Sequence, residues 1–269
     1  MIRIVLGAYA LARKTGFLDT RIGEWFFDRA YFAYKRYVED PFAALARRHP
    51  ELFRGGDILD VGANIGYTAS VFATVLTEGF QVHAFEPEQK NWEGLLRNVR
   101  RLGLSDKISA IRAAAGNQIG TVQFWRNPDS HADSRVVTQA LSRARPDITG
   151  LQEVEMLTLD SFVSQRIRNA PIRFLKIDVQ GYELAVLEGA RSLLESSEIT
   201  LSTEVSRPDR QEVGTGPDDI INFLSARSFL PHTIDRRGRI SPSNRERIAE
   251  ISAKRGYTDV IWSRRPIDW

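Results

Sequence analysis

Four carboxylates in this chain sit where an apolar run gives way to a polar turn. Asp60 follows Ile58-Leu59, Glu86 follows Val82-His83-Ala84-Phe85, Asp178 follows Phe174-Leu175-Lys176-Ile177, and Glu204 follows Ile199-Thr200-Leu201-Ser202-Thr203. In open parallel sheets, ligands gather beyond the carboxyl ends of the strands. Four strands ending in acids therefore predict an acidic rim around a ligand, although any one of them alone reads as a solvated strand end. Carboxylates so placed can hold an ammonium group, accept hydrogen bonds from ribose hydroxyls, or take a proton from a reacting hydroxyl.

The turn beside the first acid narrows the choice. Asp57 to Gly66 reads as a buried strand, a glycine turn and a helix start, with Gly62 and Gly66 allowing the backbone to approach a ligand. A dinucleotide cradle needs G-x-G-x-x-G. Here Asn64 replaces the second glycine and Gly66 comes too early for the third. Asp60 would repel a pyrophosphate but suits a cofactor carrying an ammonium group. Glu86 lies about 20 residues past the turn, the offset at which an acid reaches ribose hydroxyls, and Pro87 closes its strand.

These residues must be positioned by a sizeable α/β fold, and the chain is long enough for one. It has 269 residues, a net charge of +3, four histidines without metal-ligand spacing and no cysteine. That composition excludes a disulfide scaffold and a thiolate metal site, and the charge gives no case for nucleic acid. The apolar run at residues 4–12 is too short to span a bilayer and lacks a signal-peptide layout, so a cytoplasmic protein is expected.

Along the chain, residues 1–50 read as a helical extension in which Trp25, Phe26, Phe27, Tyr31, Phe32, Tyr34 and Tyr37 alternate with basic residues. The plain reading is a helix covering the core; a peripheral membrane contact or a homodimer contact is the alternative. Residues 51–269 form the main domain. Helices are expected at Tyr67–Thr77, Glu88–Leu102, from Gly181 through Leu194, and at 217–227; a third strand runs Ile108–Ala114, and Ala115-Gly116-Asn117 follows where the cradle reading would put an adenine. Thr121–Trp125 and Glu153–Leu159 alternate and predict an added hairpin. Between them, Arg126–Gly150 is a polar loop in which His131, Asp133 and Ser134 are chemically able. The last strands are Leu230–Ile234 and Tyr257–Trp262. Arg236, Arg237, Arg239, Arg245 and Arg247 lie between them, either solvated or set to meet a phosphate-bearing or acidic-glycan acceptor.

Taken together, Asp60-x-Gly62-x-Asn64-x-Gly66, Phe85-Glu86-Pro87, Asn98-Val99-Arg100, Lys176 to Glu183 and Asp259-Val260-Ile261-Trp262 resemble the FkbM family of S-adenosylmethionine-dependent methyltransferases, over about residues 51 to 265. The resemblance implies a class I methyltransferase fold, a Rossmann-like mixed sheet of seven strands in the order 3-2-1-4-5-7-6. It implies O-methylation, typically of sugar or polyketide-like hydroxyls. The cofactor site would then comprise Asp60, Gly62, Ala63, Asn64, Gly66, Glu86, Pro87, Ala114 and Asp178. Asp178 or Glu204 is the expected base, with Lys176 pairing on the rim and His131 as an outside candidate. One departure is Gln180, where the family usually carries Glu, so no base can act from that position. A divalent cation shared by Asp178 and Glu204 is a second option, not favoured because two carboxylates are too few to establish a site. The acceptor is expected to be a small molecule or glycan, lipid-linked or phosphate-bearing forms included. A non-catalytic glycan-binding or scaffold protein is the rival reading. An NAD-dependent oxidoreductase is disfavoured by Asn64.

Overall fold

Strands buried on both faces read as unbroken apolar runs, and the chain pairs them in parallel through helical crossovers. The computed structural model describes residues 20–127, 134–167, 170–196, 198–206, 216–265 and 267. The chain divides into two compact units, Met1–Asp40 and Pro41–Trp269. Within the first, α1 (Arg21–Tyr34) is capped by Thr20, whose hydroxyl accepts from Gly23 N at 3.0 Å, and continues into a π-helical turn, Lys35–Glu39. Among the described residues no helix is long and apolar enough to cross a membrane.

The second unit begins with α2 (Phe42–Arg48), followed by β1 (Asp57–Val61), α3 (Tyr67–Phe72), β2 (Val82–Phe85), α4 (Gln89–Arg101) and β3 (Ile108–Ile111). A small sheet then forms from β4 (Ala114–Ala115), β5 (Gly120–Trp125), β6 (Arg135–Val136) and β7 (Leu151–Leu157), with α5 (Gln139–Ala144) between the last two. Next come α6 (Leu159–Arg166), β8 (Ile172–Ile177), α7 (Glu183–Glu188), α8 (Arg191–Ser196), β9 (Thr200–Ser206) and α9 (Pro217–Ser225). The unit closes with β10 (Leu230–Ile234), β11 (Ile240–Pro242), α10 (Arg245–Arg255) and β12 (Tyr257–Ser263).

The large sheet runs β11-β10-β12-β9-β8-β1-β2-β3. The expected order is present, with β12 antiparallel to β9 and β10. The count is eight, not seven, because the three-residue β11 pairs with β10 at the edge. Helices cover both faces. Leu59, Leu175, Leu201 and Trp262 pack in one core cluster; Ile58, Phe174 and Ile261 pack in the other, with Phe53 and Phe72. Phe53 stands 4.5 Å from Phe174 and 5.2 Å from Phe72 between ring centroids, and Phe42 of α2 joins the same cluster.

Several boundaries differ from the sequence reading. Strand three stops at Ile111, and Ala114–Ala115 leaves the large sheet to pair with Met156–Leu157. The expected hairpin forms, β5 against β7, but as part of four strands rather than two. The helix expected through Leu194 is broken at Gly189, a position where only glycine fits, since a Cβ there would lie 1.9 Å from Gly116 O. The loop from Arg126 to Gly150 holds α5, capped by the Thr138 hydroxyl. Glu204 is not the end of its strand, because pairing with β12 carries β9 on to Ser206.

Candidate active site

The strand order reverses between β1 and β8, which makes their carboxyl ends the switch point of the sheet. The parallel register pairs Asp60 with Lys176 and Val61 with Ile177, and Asp178 N donates to Val61 O at 3.0 Å. Side chains alternate across a strand. Asp60, Lys176 and Asp259 are each two residues from Ile58, Phe174 and Ile261, so all three face the same side of the sheet. Glu204 joins them, because its neighbours Thr203 and Val205 point the other way; it stands directly opposite Asp259 in the β9–β12 register.

Asp60 is fully buried. Lys176 Nζ lies 3.6 Å from Asp60 Oδ1 and donates to Asp178 Oδ2 at 3.3 Å. Neither Asp60 oxygen has a hydrogen-bond partner among the described residues. Burial raises its pKa, the Lys176 ammonium opposes that, and the Asp178 charge adds to it. A buried carboxylate with unfilled acceptor sites beside a glycine turn fits a ligand that brings N–H donors.

The turn itself is built for close approach. Gly62 has φ +83°, and a Cβ there would lie 1.9 Å from Asp178 O. Gly66 has φ +86°, and its Cβ would lie 2.4 Å from Leu95 Cδ1 of α4. Asn64 takes φ 50°, which its side chain supports by accepting from Ile65 N at 2.8 Å. Ala63 packs in the core, and Pro87 is half-buried. Gly62→Ala is expected to cost about 3 kcal/mol or more, since it adds backbone strain to a clash with a main-chain oxygen. Chemical denaturation of wild type and variant measures this directly.

Glu86 holds the turn in place. Its Oε2 accepts from Asn64 N at 2.9 Å; its Oε1 accepts from Glu88 N at 3.0 Å and Asn91 Nδ2 at 3.4 Å. Burial drives its pKa up to about 7, against the donation from Glu88, Asn91 and Asn64. One carboxylate thus joins the glycine turn to the start of α4, and Asn98 Nδ2 adds a bond to Ile65 O at 3.1 Å.

Across the rim, Gln180 takes φ 57°, and its Nε2 donates to Asp178 Oδ1 at 3.1 Å and Glu204 Oε1 at 3.5 Å. Burial and the charges of Asp178, Asp259 and Glu183 push the Glu204 pKa well above the usual carboxylate range, with Lys176 opposing. Buried Glu183 shapes the turn beneath: its Oε1 accepts from Val179 N and Gly181 N, both at 3.1 Å. Asp178 keeps part of its side chain open to solvent, 27% against 5% for Lys176. A partly accessible carboxylate held against an ammonium can accept a proton from a hydroxyl.

Asp60, Lys176, Asp178, Gln180, Glu183, Glu204 and Asp259 therefore form one polar group. Asp259 and Glu183 were missed as site residues by sequence reasoning; only the antiparallel register of β12 reveals the first. His131 and Asp133 lie outside the described residues. The Ala114 side chain packs with Phe124, Val136, Val154 and Met156. Of the basic cluster, Arg239, Arg245 and Arg247 are ion-paired with Asp235, Asp218 and Glu250 at 2.7, 2.6 and 2.7 Å. Among the described residues no group of three or more His, Asp or Glu side chains is placed to hold a metal ion.

Residues 60–231 match the family described as the Methyltransferase FkbM domain. The chain is 27% identical over 170 residues to the hexuronic acid methyltransferase AglP of Haloferax volcanii, covering 63% of this chain and 62% of that protein. It is similar in fold to the methyltransferase FkbM structure from Methylobacillus flagellatus KT, with a TM-score of 0.51, 20% identity, and coverage of 86% of this chain and 50% of the other. The chain thus spans less than two thirds of the length of either relative.

Proposed function

Because the chain belongs to the FkbM methyltransferase family, we propose that it methylates a hydroxyl of a sugar-type acceptor, using S-adenosylmethionine as donor. The observation that carries this reading is the pair Asp178 and Glu204, bridged by Gln180, beside the buried Asp60 whose oxygens lack hydrogen bonds. The hexuronic acid named for the Haloferax volcanii relative supports a carbohydrate acceptor.

When bound, the donor supplies an electrophilic methyl on a sulfonium, so the protein's own contribution is position and electrostatics. Asp60 and Asn64 would hold the methionyl end, with Gly62, Ala63 and Gly66 shaping the backbone there. Glu86 with Pro87 would border the ribose, and Ala114 the adenine side. Asp178 takes the proton of the acceptor hydroxyl. Lys176 Nζ donates to Asp178 and holds its carboxylate in place. Glu204 is buried and its pKa is raised by that burial and by the neighbouring carboxylates, which leaves the more exposed Asp178 as the accepting member of the pair.

Calorimetric titration with S-adenosylhomocysteine, using NAD as control, tests the reading. Saturable binding of the first ligand alone is expected. Glu86→Ala should weaken it by about tenfold or more, since the loss frees Asn64 N and Glu88 N and loosens the turn. Transfer of labelled methyl to uronic-acid glycosides then tests the acceptor class. Folded wild-type protein that binds no S-adenosylhomocysteine would sink the proposal, and binding of NAD instead would mean an oxidoreductase cradle.

A further inference from the structure

In an amphipathic helix of a globular unit the polar face is the one left to water. Over α1 and the π turn that follows, the face left to water is itself rich in apolar and aromatic side chains. The exposed positions recur at three- and four-residue spacing: Ile22, Trp25, Phe26, Arg29, two alanines, Arg36 and Tyr37. Ile22, Trp25, Phe26 and Tyr37 are 64, 47, 56 and 78% exposed. The stripe contains no acidic residue. The acids of the segment lie off it: Asp28 is buried, Glu24 is half-buried, and Glu39 is ion-paired with Lys35 at 2.8 Å. Trp25 meets Phe26 edge-on at 4.9 Å, and the Arg29 guanidinium lies 4.2 Å from the Trp25 ring centroid.

We propose that this stripe docks on a membrane surface bearing anionic lipid headgroups. Trp and Tyr place an apolar ring and a polar edge at a water–lipid boundary, and arginine buries its stem while keeping its charge outside. Two cations without an intervening acid complement a negative surface. A second copy of the same helix fits poorly. Laid face to face, the two stripes would set arginine near arginine, with no carboxylate in either stripe to meet them. The inference is independent of the methyl-transfer reading, since it uses no residue of the site.

Sedimentation of the full chain with vesicles decides it. Vesicles of phosphatidylcholine with phosphatidylglycerol should carry the protein down, and vesicles of phosphatidylcholine alone should do so far less. Arg29→Gln with Arg36→Gln should weaken binding about twenty-five-fold, taking about fivefold for each arginine near the surface. Trp25→Ser with Phe26→Ser should weaken it at least about tenfold. All four side chains are exposed, so circular dichroism and melting should be unchanged, which separates lost docking from lost folding. The proposal is overturned if wild type ignores the anionic vesicles, or if neither double variant changes binding. It is equally overturned if sedimentation equilibrium without vesicles shows a dimer that Trp25→Ser with Phe26→Ser dissociates, which would assign the stripe to a second copy.

Discussion

Asp178→Asn should lower the turnover of methyl transfer by about 10²- to 10⁴-fold, the range for removing a positioned general base. Binding of S-adenosylhomocysteine should change by less than about tenfold, because the amide keeps the shape of the carboxylate and the turn beneath it rests on Glu183 rather than on Asp178. The substitution also removes one acceptor: Gln180 Nε2 and Lys176 Nζ each donate to a separate Asp178 oxygen, and an asparagine has an oxygen for only one of them. Glu204→Gln is the informative companion. If Glu204 works as the protonated member of the pair, an amide that is permanently neutral should spare much of the rate. A larger loss in Glu204→Gln than in Asp178→Asn would exchange the two roles.

The second large effect concerns stability. Lys176→Met should destabilise the fold by about 3–5 kcal/mol, the cost of breaking a buried ion pair from one side. Lys176 Nζ is shared between Asp60 at 3.6 Å and Asp178 at 3.3 Å, and Asp60 has no solvent to fall back on. The loss should depend on pH in a definite direction. The folded-state pKa of Asp60 is already raised by burial, and removing the nearby cation raises it further. Between the unfolded and folded pKa values the folded protein holds the extra proton, so stability falls as pH rises through that window. Urea denaturation should therefore show a smaller deficit for Lys176→Met near pH 5 than near pH 8, with a melting decrease of about 10 °C at the higher pH. A deficit independent of pH would mean that Lys176 contributes packing rather than charge.

The rim acids were legible because mostly apolar runs, interrupted only by His83 and Lys176, precede Asp60, Glu86 and Asp178, although β1 itself continues one residue past Asp60 to Val61. The order of the sheet followed from the family resemblance. What remained hidden was register. Nothing in Ile199 to Glu204 says that the strand continues to Ser206, because the reason lies some 50 residues later in β12. The pairing of Asp259 with Glu204 was out of reach for the same reason. Gln180 was read as a lost charge. Its positive φ and its bridge between two carboxylates are tertiary facts that composition does not carry. Ile240-Ser241-Pro242 is too short and too polar to read as a strand, and it becomes one only because β10 offers an edge.

The position of β12 also bears on how the molecule is made. It is synthesised after both of its neighbours, yet it is inserted between them, pairing with β9 on one side and β10 on the other. A nascent chain lacking residues 257–263 could join β1, β2, β3, β8 and β9, but it would leave the β9 edge open and Glu204 without Asp259 opposite. Pairings between distant segments are slow to form because a long loop must close first. On the ribosome, then, the rim forms in two stages, with Asp259 added opposite Glu204 only when β12 inserts, and the unpaired β9 edge is the surface a chaperone would have to shield until it does.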